Sequence, residues 1–414
     1  MANSLTRDLQ IYFDKVLDSF ELNAVVSKEA DRFVPDSTEM QRAGDTYYRP
    51  MPYMLDAVQG LDLTAATAND LIQMQVPATI SQLPNVIWNL DAKEMRDEWH
   101  MDQAAKAAGR RLVSEVDTFS SSLISTQGSL VVKQTGAMAW DSIATAERIM
   151  LEQGVGANYS RSSFLNPKDY LPVAKELGFR QFMQGNNPTQ AAYEKSQLPD
   201  VAGFRTFRTE QALTIVANAN TGIATGASPQ SYTPISTYTT GSQLNQPADN
   251  RFMTLVLATG SGAKVKAGDA ITIAGVNSVH QITKTDTGSL KTFRVISVTG
   301  DNAVITPPVI ATGPYRNVTD AAAAGAAITP LNTATSQANP FWREGALEII
   351  AGKLAVPTNQ GVQVMSGTTE QGIPIIMMYK FDPVTAKTYV RFNSFFGAVV
   401  KNTEMCGIIL ANQT

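Results

Sequence analysis

Residues 252–306, FMTLVLATGSGAKVKAGDAITIAGVNSVHQITKTDTGSLKTFRVISVTGDNAVIT, decide the fold class. Runs rich in β-branched and aromatic residues, Phe252–Ala258, Ala270–Ala274 and Lys291–Thr299, are separated by turn signals at Gly268-Asp269 and Gly300-Asp301-Asn302. Such residues suit a pleated, half-buried surface, and the glycine-led turns supply the backbone that a tight reversal needs. The stretch therefore reads as a meander of strands. Outward from it, glutamate is absent from Gln211 through Arg343, although it is frequent up to Glu210 and returns at Glu344 and Glu348. An all-β module is expected there. Both flanks have mixed helix and strand composition, so the module is read as an insertion within a host domain, not a terminal appendage.

Upstream, Leu5 to Ala30 carries Leu9, Ile11, Phe13, Val16, Leu17, Phe20 and Val25 at mostly helical spacings, which predicts an amphipathic arm helix ended by Pro35. From Gln41 to Trp88 the chain is punctuated by Gly44, Gly60, Pro50, Pro52, Pro77 and Pro84, with a strand-like piece at Leu71–Val76. This reads as an extended loop or hairpin, long enough to reach for hydrogen-bonding partners on another subunit. Asp91 to Gln127 predicts a long helix of roughly 50 Å, with Asp91 as its N-cap and Leu112, Val116, Phe119 and Leu123 along one face. A helix at Trp140–Gln153, a strand at Ser163–Leu165 and a turn at Asn166-Pro167-Lys168-Asp169 leading into a further helix follow. Strands are expected at Ile373–Phe381 and Lys387–Phe392, joined across Asp382–Thr385, and at Met405–Leu410.

The 414 residues suffice for two or three domains with proper cores. A single cysteine, Cys406, and no basic-then-apolar N-terminal segment point to a reduced, non-secreted protein made in a cytoplasm. No window of about 20 residues is apolar throughout, so no membrane partner is expected. A formal charge of −4 with scattered Lys and Arg argues against sequence-specific nucleic-acid reading. Catalytic constellations are missing: the two histidines, His100 and His280, fall on different modules, and HExxH, CxxC, GxSxG and Walker A patterns do not occur. Asp91, Glu94, Asp97, Glu98, His100 and Asp102 read as a solvated helix start. Gly154-Val155-Gly156 and Gly260-Ser261-Gly262 read as turns, because neither has the later glycine that a phosphate cradle needs. Asn158-Tyr159-Ser160 and Asn317-Val318-Thr319 match glycosylation sequons that a cytoplasmic protein does not use. The protein is not expected to be an enzyme, and no cofactor or metal is implied.

Arm helix, extended loop, long helix and an α+β host interrupted by a β insertion resemble the tailed-phage capsid fold. The sequence resembles in particular the coat proteins of short-tailed phages of the Salmonella type, which carry an inserted β-barrel domain. The stretches that carry this are Met40-Gln41-Arg42, Arg96-Asp97-Glu98, Phe164-Leu165-Asn166-Pro167-Lys168-Asp169-Tyr170, Val201-Ala202-Gly203-Phe204, Asp249-Asn250-Arg251-Phe252, Gly268-Asp269, Ala274-Gly275-Val276 and Phe341-Trp342. Each is short, but they occur in family order and span most of the chain.

The resemblance implies an N-arm over 1–40, an E-loop and P-domain strand over 41–90, and a P-domain spine helix over 91–137. It further implies an A-domain with returning P-domain strands over 138–216 and 340–414, and an inserted β-barrel over 217–339. It implies a major capsid protein that assembles with itself, as hexamers and pentamers, into an icosahedral procapsid in the host bacterial cytoplasm. A scaffolding protein, a portal protein and packaged DNA held without sequence-specific contact are the implied partners, and the scaffold is expected to be a separate protein. Asp14, Asp18 and Glu21, at i, i+4 and i+7, form an acidic stripe suited to a basic scaffold helix. The family's inserted domain makes charged contacts between capsomers, yet residues 211–248 here carry no charge. Neutral contacts through Tyr232, Tyr238 and Gln243, or the charges Asp249 and Arg251, are the candidates in their place. Rival readings are a tail or decoration protein, an enzyme with an unrecognised site, and a cellular nanocompartment shell.

Overall fold

A computed structural model describes residues 5–35, 46–55, 57, 71–91, 94, 97–156, 158–184, 198–240, 243–352 and 362–414. The chain divides into two compact units: Met1–Tyr47, Ala78–Ser120 and Leu347–Val399 form one, and Tyr48–Pro77, Ser121–Ala346 and Val400–Thr414 the other.

In the first unit, helix α1 (Leu5–Asn23) buries Tyr12, Phe13, Val16 and Phe20. Tyr12 and Phe13 meet Phe392 at 6.0 and 6.3 Å, and Trp88 stacks on the same ring at 5.4 Å. Phe392 and Trp88 belong to an antiparallel four-stranded sheet, ordered Gln363–Thr368, Pro374–Asp382, Lys387–Ser394 and Asn85–Asp91. Ile11, expected inward, is 48% exposed, because the aromatic row takes positions 12, 13, 16 and 20 and leaves residue 11 off that arc. The helix stops at Asn23 instead of Ala30. Just beyond it the backbone N–H groups of Val25, Val26 and Ser27 turn to the buried carboxylate of Asp117, at 3.0, 3.3 and 2.9 Å.

Helix α2 (Glu98–Gln127) has 30 residues and runs about 45 Å. Asp91 is not its N-cap: it ends the strand Asn85–Asp91, opposite Lys387. The cap is Asp97, whose Oδ1 accepts from Trp99 N at 3.0 Å. At Gly109 a Cβ would lie 2.8 Å from Val16 O, so α1 and α2 approach as closely as they do only over a glycine.

The second unit holds a mixed five-stranded sheet, ordered Leu130–Thr135, Cys406–Gln413, Asn339–Arg343, Arg161–Leu165 and Arg205–Arg208. Helices α3 (Trp140–Glu152) and α4 (Pro167–Gln184) cover it with Ile143, Ala146, Met150, Val173 and Leu177 against Leu130, Val132, Leu165, Phe341 and Ile409. Asn166 caps α4: Asp169 N donates to Asn166 Oδ1 at 2.9 Å, and Pro167 fills the first helical position. The chain leaves this host through Thr214–Ile215, which pairs with Ser336–Gln337 where it returns.

Between those strands lies a six-stranded antiparallel sheet, ordered Met253–Val256, Asn302–Thr306, Asp286–Thr299, Ala270–Val279, Ala327–Pro330 and Ile223–Ala224. Its two ends meet through the Thr225–Leu257 bridge, with Ala258 N donating to Ala224 O at 2.9 Å and Gly226 N to Val256 O at 2.8 Å. The sheet is therefore a barrel, filled by Leu255, Ile271, Ile273, Phe293, Val295, Ile305 and Val309. Gly262 is obligatory in it, since a Cβ there would stand 1.9 Å from Gly300 O.

Candidate assembly surfaces

The outward face of α1 is built by exclusion. With Tyr12, Phe13, Val16 and Phe20 committed inward, Gln10, Ile11, Asp14, Asp18, Leu22 and Asn23 are exposed among the described side chains, and Ile11, Asp14, Asp18 and Leu22, the last 81% exposed, follow one another along one stripe. Two carboxylates thus lie between two apolar side chains along one stripe. Glu21 is engaged elsewhere: it is half-buried, and its Oε1 accepts from Glu370 N at 2.9 Å. Lys15 faces α2 and pairs with Asp102 at 3.2 Å. Ile11 and Leu22 were not singled out as surface residues in the sequence; the signal for them is the i, i+4 spacing of Tyr12, Val16 and Phe20.

In the second unit, the uncharged stretch before Asp249 forms a short hairpin, Thr237–Thr240 with Gln243–Pro247. Tyr238 lies on it, 45% exposed, and Gln243 opens its second strand opposite Thr240. Asn250 knots the base: it donates to Ile235 O at 2.8 Å and accepts from Ile235 N and the Tyr232 hydroxyl at 3.0 and 2.9 Å. Tyr232 is thus turned into the module, and burial, followed by the charge of Asp249, raises its phenol pKa. Asp249 and Arg251 satisfy each other through Nε–Oδ1 at 2.9 Å and Nη2–Oδ2 at 2.7 Å, while Arg251 Nη1 donates to Val400 O at 2.8 Å. Of the five candidate contact residues, Tyr232, Asp249 and Arg251 anchor the hairpin, and Tyr238 and Gln243 lie on it. Asn250 is the member that sequence reasoning passed over, although it stands between Asp249 and Arg251.

The extended-loop region is described at its stem. Thr46–Pro50 and Gln75–Thr79 form a two-stranded ribbon, so the strand expected at Leu71–Val76 starts at Gln75. Met51 N donates to Met74 O at 2.9 Å, the Tyr315 hydroxyl donates to Ile72 O at 2.8 Å, and Gln75 bridges to Asp249. The stem therefore finds partners within its own chain, while residues 56 and 58–70, between the two sides and the part expected to reach a neighbour, lie outside the described residues.

Residues of catalytic type are dispersed. His100 is exposed with Asp97 3.6 Å away, and His280 Nδ1 accepts from Ile282 N and Thr283 N at 3.2 and 3.1 Å. Gly260 N and Gly262 N donate to Asp301 at 3.1 and 2.9 Å, so that loop is bonded to its own carboxylate. Cys406 is buried, which pushes its thiol up to about 12. Among the described residues no three His, Cys, Asp or Glu side chains could share a metal, and no helix is long and apolar enough to cross a membrane.

The family model described as P22 coat protein, gene protein 5, matches residues 1–411. Among solved structures, the capsid of cyanophage P-SCSP1u aligns with 94% of this chain and 89% of its own at 9% identity and a TM-score of 0.46. The mature capsid of bacteriophage PhiM1 aligns with 95% and 88% at 9% identity and a TM-score of 0.43. The CUS-3 coat protein I-domain is 37% identical over 28% of this chain and 98% of its own, with a TM-score of 0.22.

Proposed function

The chain belongs to the P22 coat protein family, and from that premise we propose how its surfaces serve assembly. It is a structural major capsid protein with the tailed-phage capsid fold and an inserted β domain, a component of the virion shell that associates with copies of itself. In the proposed division, residues 1–40 are the N-arm, 41–90 the E-loop and P-domain strand, 91–137 the spine-helix region, 138–216 with 340–414 the A-domain, and 217–339 the inserted barrel. Hexamers and pentamers of the chain close an icosahedral procapsid in the host cytoplasm around a scaffolding protein, with a portal at one vertex. The shell then takes in DNA without reading its sequence. The family match across residues 1–411 is the observation that carries this reading.

The scaffold contact is proposed at the α1 stripe of Ile11, Asp14, Asp18 and Leu22, whose pattern suits a basic amphipathic helix: apolar anchors at the ends, carboxylates between. Glu21 contributes through its hold on the Glu370 turn. The hairpin bearing Tyr238 and Gln243 is proposed as the contact between capsomers, with Tyr232, Asp249 and Arg251 fixing its base. Weak individual contacts suffice, since many act together on a closed shell.

Sizing followed by negative-stain microscopy, with and without the scaffolding protein, tests the assignment. Uniform closed shells with scaffold are expected; monomers or small oligomers under both conditions would sink it. Asp14→Lys with Asp18→Lys should lower scaffold incorporation in a salt-dependent way. Unchanged incorporation removes the α1 stripe as the docking site.

A further inference from the structure

The barrel's main core is apolar and its own, and next to the small apolar cluster of Val131, Ala270, Ile408 and Leu410 a set of polar contacts fastens it beside the end of α2. Glu404 lies in the turn Thr403–Met405, between the strands Phe396–Val400 and Cys406–Gln413, and its backbone N–H is held by Asn402 Oδ1 at 2.9 Å. Its carboxylate gathers three parts of the barrel. Oε1 accepts from Lys291 Nζ at 2.5 Å and Asn317 Nδ2 at 2.9 Å, and Oε2 accepts from Gln281 Nε2 at 3.1 Å. Gln281 comes from the turn after Ala270–Val279, Lys291 from the strand Asp286–Thr299, and Asn317 from a loop whose amide also donates to Pro308 O at 3.0 Å. The Lys291 side chain is 1% exposed and that of Glu404 12%.

Two residues beside Lys291 on the same strand complete the joint. Thr292 Oγ1 donates to Ser129 O and Arg294 Nη2 to Ser125 O, each at 2.5 Å, so the barrel bonds carbonyls in and just past the last turn of α2. Gln281 N donates to Gln153 O at 3.1 Å beyond α3. Apolar contact is non-directional and tolerates sliding, but a carboxylate shared by three donors fixes both distance and angle.

We propose that Glu404 is the positioning residue that sets the orientation of the inserted barrel on its host, acting through Lys291, Asn317 and Gln281. The consequence for assembly, that this joint aims the Tyr238 hairpin, rests on the capsid reading above. Glu404 is 113 residues from Lys291, 87 from Asn317 and 123 from Gln281, so one side chain in the turn before the strand Cys406–Gln413 gathers three parts of the barrel that are far away in sequence.

The test uses the full chain with three variants, Glu404→Gln, Lys291→Met and the pair together, read by hydrogen–deuterium exchange and by shell assembly. In Glu404→Gln, amides at the joint, around 129–131, 281 and 292, should exchange faster by on the order of a hundredfold, because one partner of a buried pair is left alone. Amides in the core strands Ala270–Val279 and Asn302–Thr306 should keep their protection, and assembly should give open or mis-sized shells. The double variant should recover part of both. Should Glu404→Gln fail to accumulate, Gln281→Ala removes one of the three bonds and should reproduce the joint exchange in weaker form. Unchanged joint exchange, or equal loss throughout the barrel core, overturns the proposal, as do normal closed shells from a variant whose joint has loosened. If the unaltered chain forms no shells at all, the capsid reading fails, and the exchange result still decides whether Glu404 positions the barrel.

Discussion

Replacing Asp117 should release the turn that follows α1. The carboxylate is buried and accepts three backbone N–H groups, from Val25, Val26 and Ser27. Asp117→Ala leaves all three donors without this acceptor, those of Val26 and Ser27 in the interior and that of Val25 part-buried. A buried donor without a partner costs about 1–3 kcal/mol, and some of that is recovered by local rearrangement, so a loss of about 2–4 kcal/mol is expected. Asp117→Asn retains one carbonyl oxygen and turns an NH2 toward at least one of the donors, for a loss of about 1–2 kcal/mol. The assay is exchange of the 25–27 amides together with urea unfolding of the variants and the parent. Protection at these three amides that survives Asp117→Ala would refute the reasoning.

The same residue fixes the sign of a pH effect. Burial raises the Asp117 pKa, outweighing the three N–H donors that favour the charged form. A carboxylate whose folded pKa lies above its unfolded value binds the proton more tightly when folded. Its contribution is fully present below the unfolded pKa of about 3.9 and is lost as pH rises through the folded pKa. The stability gap between parent and Asp117→Asn should therefore shrink with rising pH across that window. A gap that widens instead would mean that the hydrogen bonds dominate.

Other substitutions probe the core and the barrel. Trp342 is 1% exposed and stacks on Phe164 at 4.4 Å, so Trp342→Ala should cost about 3–5 kcal/mol in urea unfolding; a loss under about 1 kcal/mol would mean the stack is not part of the core. Gly262→Ala should lower the barrel's melting temperature, because its Cβ meets Gly300 O, and an unchanged melt would show that the loop yields freely. Cys406 should resist alkylation at pH 8 in the native chain and react once urea is added, since burial keeps the thiol protonated. Native-state labelling at the unfolded rate would contradict that burial.

What the sequence disclosed was local. The helices, the turn at Asn166–Asp169 that leads into α4 and the hairpin over Gly300 follow from neighbouring residues, and each was readable from spacing and turn chemistry. The stretches that carry the family resemblance also have a physical role: Phe164, Phe204, Phe341 and Trp342 are stacked or edge-on in the host core. Three features escaped. Asp91 and Asp97 are equally plausible caps by type, and only the pairing of Asp91 opposite Lys387 shows which side of the boundary it occupies. The resemblance implied a barrel, but the place where it closes, Thr225–Leu257, was hidden because residues 211–248 lack the alternation that marks a strand. Asp249 and Arg251 were read as outward charges, but spacing says nothing about which way a pair of side chains turns, and at two residues apart they close on each other.

Closure of the barrel bears on how a shell protein stays specific. Open strand edges are templates for pairing with any other chain, and a coat subunit spends its assembly crowded against identical copies. Here the terminal strands of the inserted sheet bond each other, leaving the short hairpin of Thr237–Thr240 and Gln243–Pro247 as a two-stranded sheet apart from the barrel, with Pro247 unable to donate at one end. As the proposed contact between capsomers, a surface of that size is weak, as a reversible assembly requires, and would gain strength only where many copies present it in the same direction. Weak contacts make orientation decisive, since an angular error repeated in every subunit accumulates around a closed shell, whereas a misplaced side chain in one contact does not. This is why a buried polar joint, costly in desolvation and modest in net stability, is a reasonable device at the base of such a module: its value lies in direction.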